Sequence, residues 1–148
     1  MSNLVFHQAT QKVKVLQWTE KLCRCLEQQY RDYSVRSIVN NQNKADKPDP
    51  YLQEKVNQIE SGEDDRISFF IENGRKYYKV CLRWKQVNRQ FKDDISVHCF
   101  VDKLTGEVYK PAGWKKPAKH VRFNMSDDVN RAKLYNVCDW AGGYLYLR

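Results

Sequence analysis

Between residues 110 and 122 the chain reads KPAGWKKPAKHVR, with five Lys or Arg, one Trp, one His and no acid. Such a mixture suits a polyanion. Each cation offsets a phosphate and releases counterions, and an indole gives a base a stacking surface worth about 1–3 kcal/mol. Lys110, Trp114, Lys115, Lys116, Lys119, His120 and Arg122 are therefore the candidate binding residues, with Arg83, Lys85 and Arg89 upstream as helpers. Against this stands a plainer reading, in which Trp114 anchors the loop on a sheet and the lysines are only solvated.

Catalysis finds less support. His7, His98 and His120 lack the spacing of a zinc motif, and no paired C-x-x-C, phosphate-binding glycine loop or dinucleotide fingerprint is present. No metal or other cofactor is expected. His98 and Cys99 are neighbours on a would-be strand, so alternation sends them to opposite faces and excludes them as a nucleophile–base pair. His120 could move a proton at a phosphate, but a histidine in a basic segment is more commonly a further ligand contact. The acidic residues Glu63, Asp64 and Asp65, and Asp93 and Asp94, read as loop ends.

The whole chain agrees with an anionic partner. Its 148 residues carry a net charge of +8, which favours nucleic acid, an anionic surface or an acidic protein. An aromatic content of 13% argues for a folded domain despite a charged fraction of 30%. No run is long and apolar enough for a membrane helix, and the first residues lack the apolar centre of a signal peptide, so the expected setting is a cytoplasm and no membrane partner is expected. There the five cysteines, Cys23, Cys25, Cys81, Cys99 and Cys138, read as small buried hydrophobes or free thiols.

These residues need elements to position them. Val15, Trp18, Leu22, Leu26, Tyr30 and Tyr33 recur at helical spacing, predicting an amphipathic helix over 10–34 with Thr10 as its cap. Residues 35–49 read as a mobile loop, and 50–61 as a short helix begun by Asp49 and Pro50 and stopped by Gly62. The stretch 66–110 reads as an antiparallel sheet. Asn73-Gly74 is the two-residue hairpin signal, and it places Phe69 opposite Tyr78 and Ile67 opposite Val80. Ile67, Phe69, Tyr78, Val80, Leu82 and Trp84 then share a core face. Ser68, Phe70, Tyr77, Lys79, Cys81 and Arg83 share the other, which is either a wet binding surface or a seat for the first helix. Residues 95–101 alternate as a third strand, and Gly106 takes the left-handed position of the turn into a fourth. Pro111 and Pro117 keep 110–124 an irregular basic loop, and 126–148 reads as a helix followed by a last strand at 144–147. The expectation is an α+β domain over 1–148: an antiparallel four-stranded meander packed by an N-terminal amphipathic helix and a short C-terminal helix.

The strings VDKLTGEVYK, WKKPAKHVRFN and DWAGGYLYLR resemble small proteins of tailed bacteriophages, chiefly marine and environmental ones. The resemblance covers the C-terminal third and implies a setting, an infected bacterial cytoplasm or a virion, but no activity. Lys115-Lys116-Pro117-Ala118-Lys119 is also similar to the phosphate-binding run that opens the last helix of double-stranded RNA-binding domains, but departs from it in that Pro117 falls inside the would-be helix start and His120 to Asn124 reads extended. The expected function is thus a nucleic-acid or other polyanion binder. The alternatives are a protein-interaction module, either a minor virion component or an inhibitor of a host enzyme, that contacts a host or virion protein or its own copy through its aromatic C-terminus and sheet, and third a small enzyme acting on a nucleotide or phosphate.

Overall fold

The first element of the structure, a computed structural model that describes residues 3–44, 49–63, 66–88 and 90–147, is a single helix, α1 (Asn3–Lys44). It outruns the expected 10–34 at both ends. Thr10 does not cap it but donates its hydroxyl back to the Phe6 carbonyl, one turn earlier, inside the helix. At the other end the Asn- and Gln-rich residues stay helical through Lys44, so 35–44 is no loop. Polar residues bury little, but each costs a helix only about 0.7 kcal/mol or less, and no proline interrupts before Pro48. The remainder of the expected loop, 45–48, lies outside the described residues.

Helix α2 (Pro50–Ser61) folds back on α1, burying Val56 and Ile59. Asp49 accepts from the Tyr51 amide at its start, and Gly62, at φ +82, closes its end.

Five strands follow, β1 (Ile67–Asn73), β2 (Tyr77–Trp84), β3 (Asp94–Asp102), β4 (Glu107–Pro111) and β5 (Pro117–Asn124), in an antiparallel meander of order β1-β2-β3-β4-β5. The α+β class holds, and the count of four strands is corrected to five. The extra strand, β5, comes from the segment expected to be an irregular basic loop. Pro111 ends β4, Pro117 begins β5, and the two face each other across the hairpin. At the first residue of an edge strand a proline surrenders no ladder bond, so the two prolines bracket a turn instead of dissolving a strand. Because 117–119 is strand, Lys115-Lys116-Pro117-Ala118-Lys119 does not open a helix as it does in double-stranded RNA-binding domains.

The β1–β2 register also differs from expectation. Ile67 pairs with Trp84, Phe69 with Leu82 and Asn73 with Tyr78, so the turn sits at 75–76, beyond Asn73-Gly74. Gly74 is not at positive φ. It is needed for a different reason, since a Cβ there would lie 2.9 Å from the Tyr77 carbonyl oxygen. The turn moved by an even number of positions, so every side chain kept its face.

That inner face carries Ile67, Phe69, Tyr78 and Val80 with Cys99, Val101, Val108 and Phe123, and α1 packs on it through Val15, Leu22, Cys23 and Leu26. Helix α1 also closes the β1 edge, where Glu27 accepts from the Phe69 amide and Arg24 donates to the Phe69 carbonyl, both at 3.0 Å. Helix α3 (Asp128–Val137), begun by Asp127, brings Leu134 and Cys138 into the same core, and the Tyr135 hydroxyl donates to the Trp18 carbonyl across the molecule. The expected last strand is a short 3-10 turn, Gly143–Leu145. Leu145 is buried and its carbonyl accepts from Arg122 Nε, so this tail is held by core contacts instead of a ladder.

Candidate nucleic-acid interface

Alternation along β1 to β5 sends a second set of side chains to the outer face, away from α1. One row across the sheet pairs Glu72, Lys79, Phe100, Tyr109 and Val121. Tyr77 stands beside it, its ring edge-on to Phe100 at 5.7 Å and to Tyr109 at 6.1 Å. Edge-to-face packing at these separations is attractive, so the rings hold one another in place without a helix above them. Burial and, above all, the hydrogen bond to Glu107 push the Tyr109 hydroxyl far up, with the bond first in size, so this ring stays neutral.

The five-residue turn 112–116 closes with the Ala112 and Gly113 amides donating to the Lys116 carbonyl, and it carries Trp114 onto the outer face. There the Lys79 ammonium lies 3.7 Å from the indole centroid and 6.0 Å from that of Phe100. Lys79 is almost fully covered, with Glu72 3.8 Å away as its counter-charge. Trp114 remains 43% exposed. Lys76 stands over Tyr77, and the Arg83 guanidinium lies 4.7 Å over Phe70. Cys81, between Phe70 and Val97 in the ladder, is buried, and burial raises its thiol to about 11, so it is a neutral filler.

The ten residues singled out by sequence do not form one cluster. Trp114, Lys115 and Lys116 share the exposed 112–116 turn, and Lys119 and His120 follow on the exposed part of edge strand β5. Arg83 lies on the outer face two side chains along β2 from Lys79, about 13 Å at strand rise. Lys85 stands beyond the end of β2, its amide bonded to the Arg66 carbonyl. Arg89 lies outside the described residues. Lys110 and Arg122 turn the opposite way: the Lys110 ammonium sits 4.6 Å over the Tyr146 ring, and Arg122 binds the Leu145 and His120 carbonyls. Among the described residues no group of three or more His, Cys, Asp or Glu could hold a metal ion. Nor is any helix there long and apolar enough to cross a membrane.

A family model matches residues 5–147. The chain belongs to DUF7717, a family of unknown function. No curated protein and no solved structure matches it.

Sequence reading put Phe70, Tyr77 and Lys79 on the face opposite the core, and missed Lys76 and Tyr109 as members of the candidate interface. The signal for the first three was the period-two alternation in β1 and β2, which mixes basic and aromatic groups on the face that the core does not use. It also misjudged His98. A bulge pairs Val80 with Cys99 and Cys81 with Val97, leaving His98 as the extra residue. Its ring meets Phe69 edge-on at 5.2 Å, and Cys99 belongs to the same core, so strict alternation between neighbours fails here. Burial lowers His98 to about 4 and pushes the Cys99 thiol well up, so at neutral pH both are uncharged.

Proposed function

We propose that the protein binds nucleic acid, with unpaired bases laid on the outer face of the sheet. The carrying observation is Trp114, held by the Lys79 ammonium 3.7 Å from its ring, yet 43% exposed, on a face where Tyr77 and Tyr109 are half-buried and Phe100 is buried beneath them. Open sheets bearing aromatic rings bind single strands because every base has a stackable face, while nearby cations follow the phosphates. Lys115, Lys116 and Lys119 at the rim and the net charge of +8 supply the latter. The phage-like C-terminal strings would place this activity in an infected bacterial cytoplasm or a virion.

The test is fluorescence anisotropy with labelled single-stranded and duplex oligonucleotides over a salt series. Single-strand binding should weaken steeply with salt. Lys115→Glu with Lys116→Glu should abolish it, and Trp114→Ala should weaken it by about 1–3 kcal/mol, with unchanged melting temperatures. Absence of a salt-sensitive signal at low ionic strength would end this reading.

A second reading, a protein-interaction module, is favoured by Leu4, Phe6 and Val13 exposed on α1 and by Tyr146 and Leu147 exposed at the other end of the chain. It predicts a stable oligomer or a bound protein that survives the two charge reversals and is lost on truncation after Leu145, which removes the exposed Tyr146 and Leu147 and leaves the core intact.

A further inference from the structure

On the other side of the sheet from Trp114, where β3 and β4 leave the core, lies a cleft of about 360 Å³. Leu82, Ser96, His98, Lys110, Trp140 and Leu145 are among its walls, and no Asp or Glu side chain lines it.

His98 is the informative group. The bulge in β3 turns it inward, where it is 7% exposed, and its Nε2 lies 2.8 Å from the Tyr144 hydroxyl. That nitrogen is the hydroxyl's one hydrogen-bond partner among the described residues. A hydroxyl proton removed from water needs an acceptor, so Tyr144 donates to Nε2, and the neutral ring must then carry its own proton on Nδ1. Nδ1 has no partner among the described residues. No side-chain nitrogen or oxygen there is sealed from solvent unpartnered, so Nδ1–H opens into the cleft. Gly142, at φ +84, keeps that side clear, since a Cβ there would sit 4.0 Å from Nδ1 and 3.7 Å from Cε1.

Lys110 is the second donor. Its ammonium rests over the Tyr146 ring and against the Pro111 carbonyl, with no carboxylate partner among the described residues. The cleft thus offers an unpaired cation, a neutral N–H and the exposed Ser96 hydroxyl beside an apolar wall. A few donors lining a partly apolar concavity are what orient a small ligand.

We propose that this cleft binds a small organic anion, its oxyanion group held by Lys110 Nζ and His98 Nδ1–H and its apolar body lying along Leu82, Trp140 and Leu145. The oxyanion is a carboxylate or a phosphate, which share this donor pattern. The site is independent of the outer face, so it stands or falls separately from nucleic-acid binding.

Nitrogen-15 NMR of the full chain at pH 7, titrated separately with benzoate, adenosine monophosphate and inorganic phosphate, tests it. The free protein should show the Nδ1–H tautomer at His98. At least one organic anion should move that resonance with a Kd of about 1 mM or tighter. Inorganic phosphate, lacking the body, should bind more weakly. The benzoate and monophosphate arms separate carboxylate from phosphate recognition. Lys110→Met, at a half-buried position, should leave the melting temperature unchanged and weaken binding about tenfold or more, as loss of a charge-assisted bond does. An unmoved His98 with all three probes, equal binding of inorganic phosphate, or binding that ignores Lys110→Met would each overturn the proposal.

Discussion

Acid should unfold this protein through one residue before its carboxylates are exhausted. His98 is held neutral because burial lowers its pKa from 6.5 to about 4. Below pH 6.5 the unfolded chain takes up a proton there and the folded chain does not, so stability is full above 6.5 and is lost as pH falls towards 4. Each pH unit between those values is worth about 1.4 kcal/mol, so the loss reaches about 3 kcal/mol by pH 4, a large share of a typical domain's stability. Urea unfolding of the native protein and His98→Gln at pH 7, 6, 5 and 4 isolates this contribution. Carboxylates titrate in both proteins and cancel in the comparison. Gln stays neutral throughout, so the variant, although weaker at pH 7, should lose about 3 kcal/mol less over the series. Parallel pH profiles, or an NMR titration of His98 near 6.5 in the folded protein, would refute the reasoning.

Two substitutions examine how the sheet is closed. Glu27→Ala strips the Phe69 amide of its acceptor on the β1 edge and should cost about 1–3 kcal/mol, read by chemical denaturation, with faster amide exchange at Phe69. Gly106→Ala forces a side chain into φ +75 and places its Cβ 2.8 Å from Ser126 Oγ, so it should cost about 1–3 kcal/mol, seen as a lower melting temperature, while Thr105→Ala nearby should be milder.

How far the sequence could be read depended on whether a local rule met a competing contact. The division of the first hairpin into two faces was legible because a period of two survives an even register error: Asn73-Gly74 misplaced the turn, yet Phe69 and Val80 stayed in the core. Strand β5 was hidden by Pro117, which weakens a central strand but not the first residue of an edge one. The ends of α1 were obscured because burial was used to judge helicity, while Asn and Gln merely lower propensity. For the candidate interface, Trp114 with Lys115 and Lys116 could be found as a run in the chain. Lys79 could be put on the outer face by alternation, but not Tyr109 beside it, since only pairing across β2, β3 and β4 brings them together. Lys110 and Arg122 show the reverse: alternation along β4 puts Lys110 on the side away from Tyr109, and a bulge in β5 at Arg122 turns that side chain the same way.

The strand order carries a consequence for how the chain assembles during synthesis. Every strand pairs with its sequence neighbour, so the meander can zip up from local contacts as it leaves the ribosome. The apolar stripe of α1 has no such luck. Thr19 meets Met125, Trp18 meets Tyr135 and Gln29 meets the Trp140 amide, all more than a hundred residues downstream. Helix α1 can dock on β1 and β2 early, but its stripe is fully covered only once α3 and the turn after it are in place.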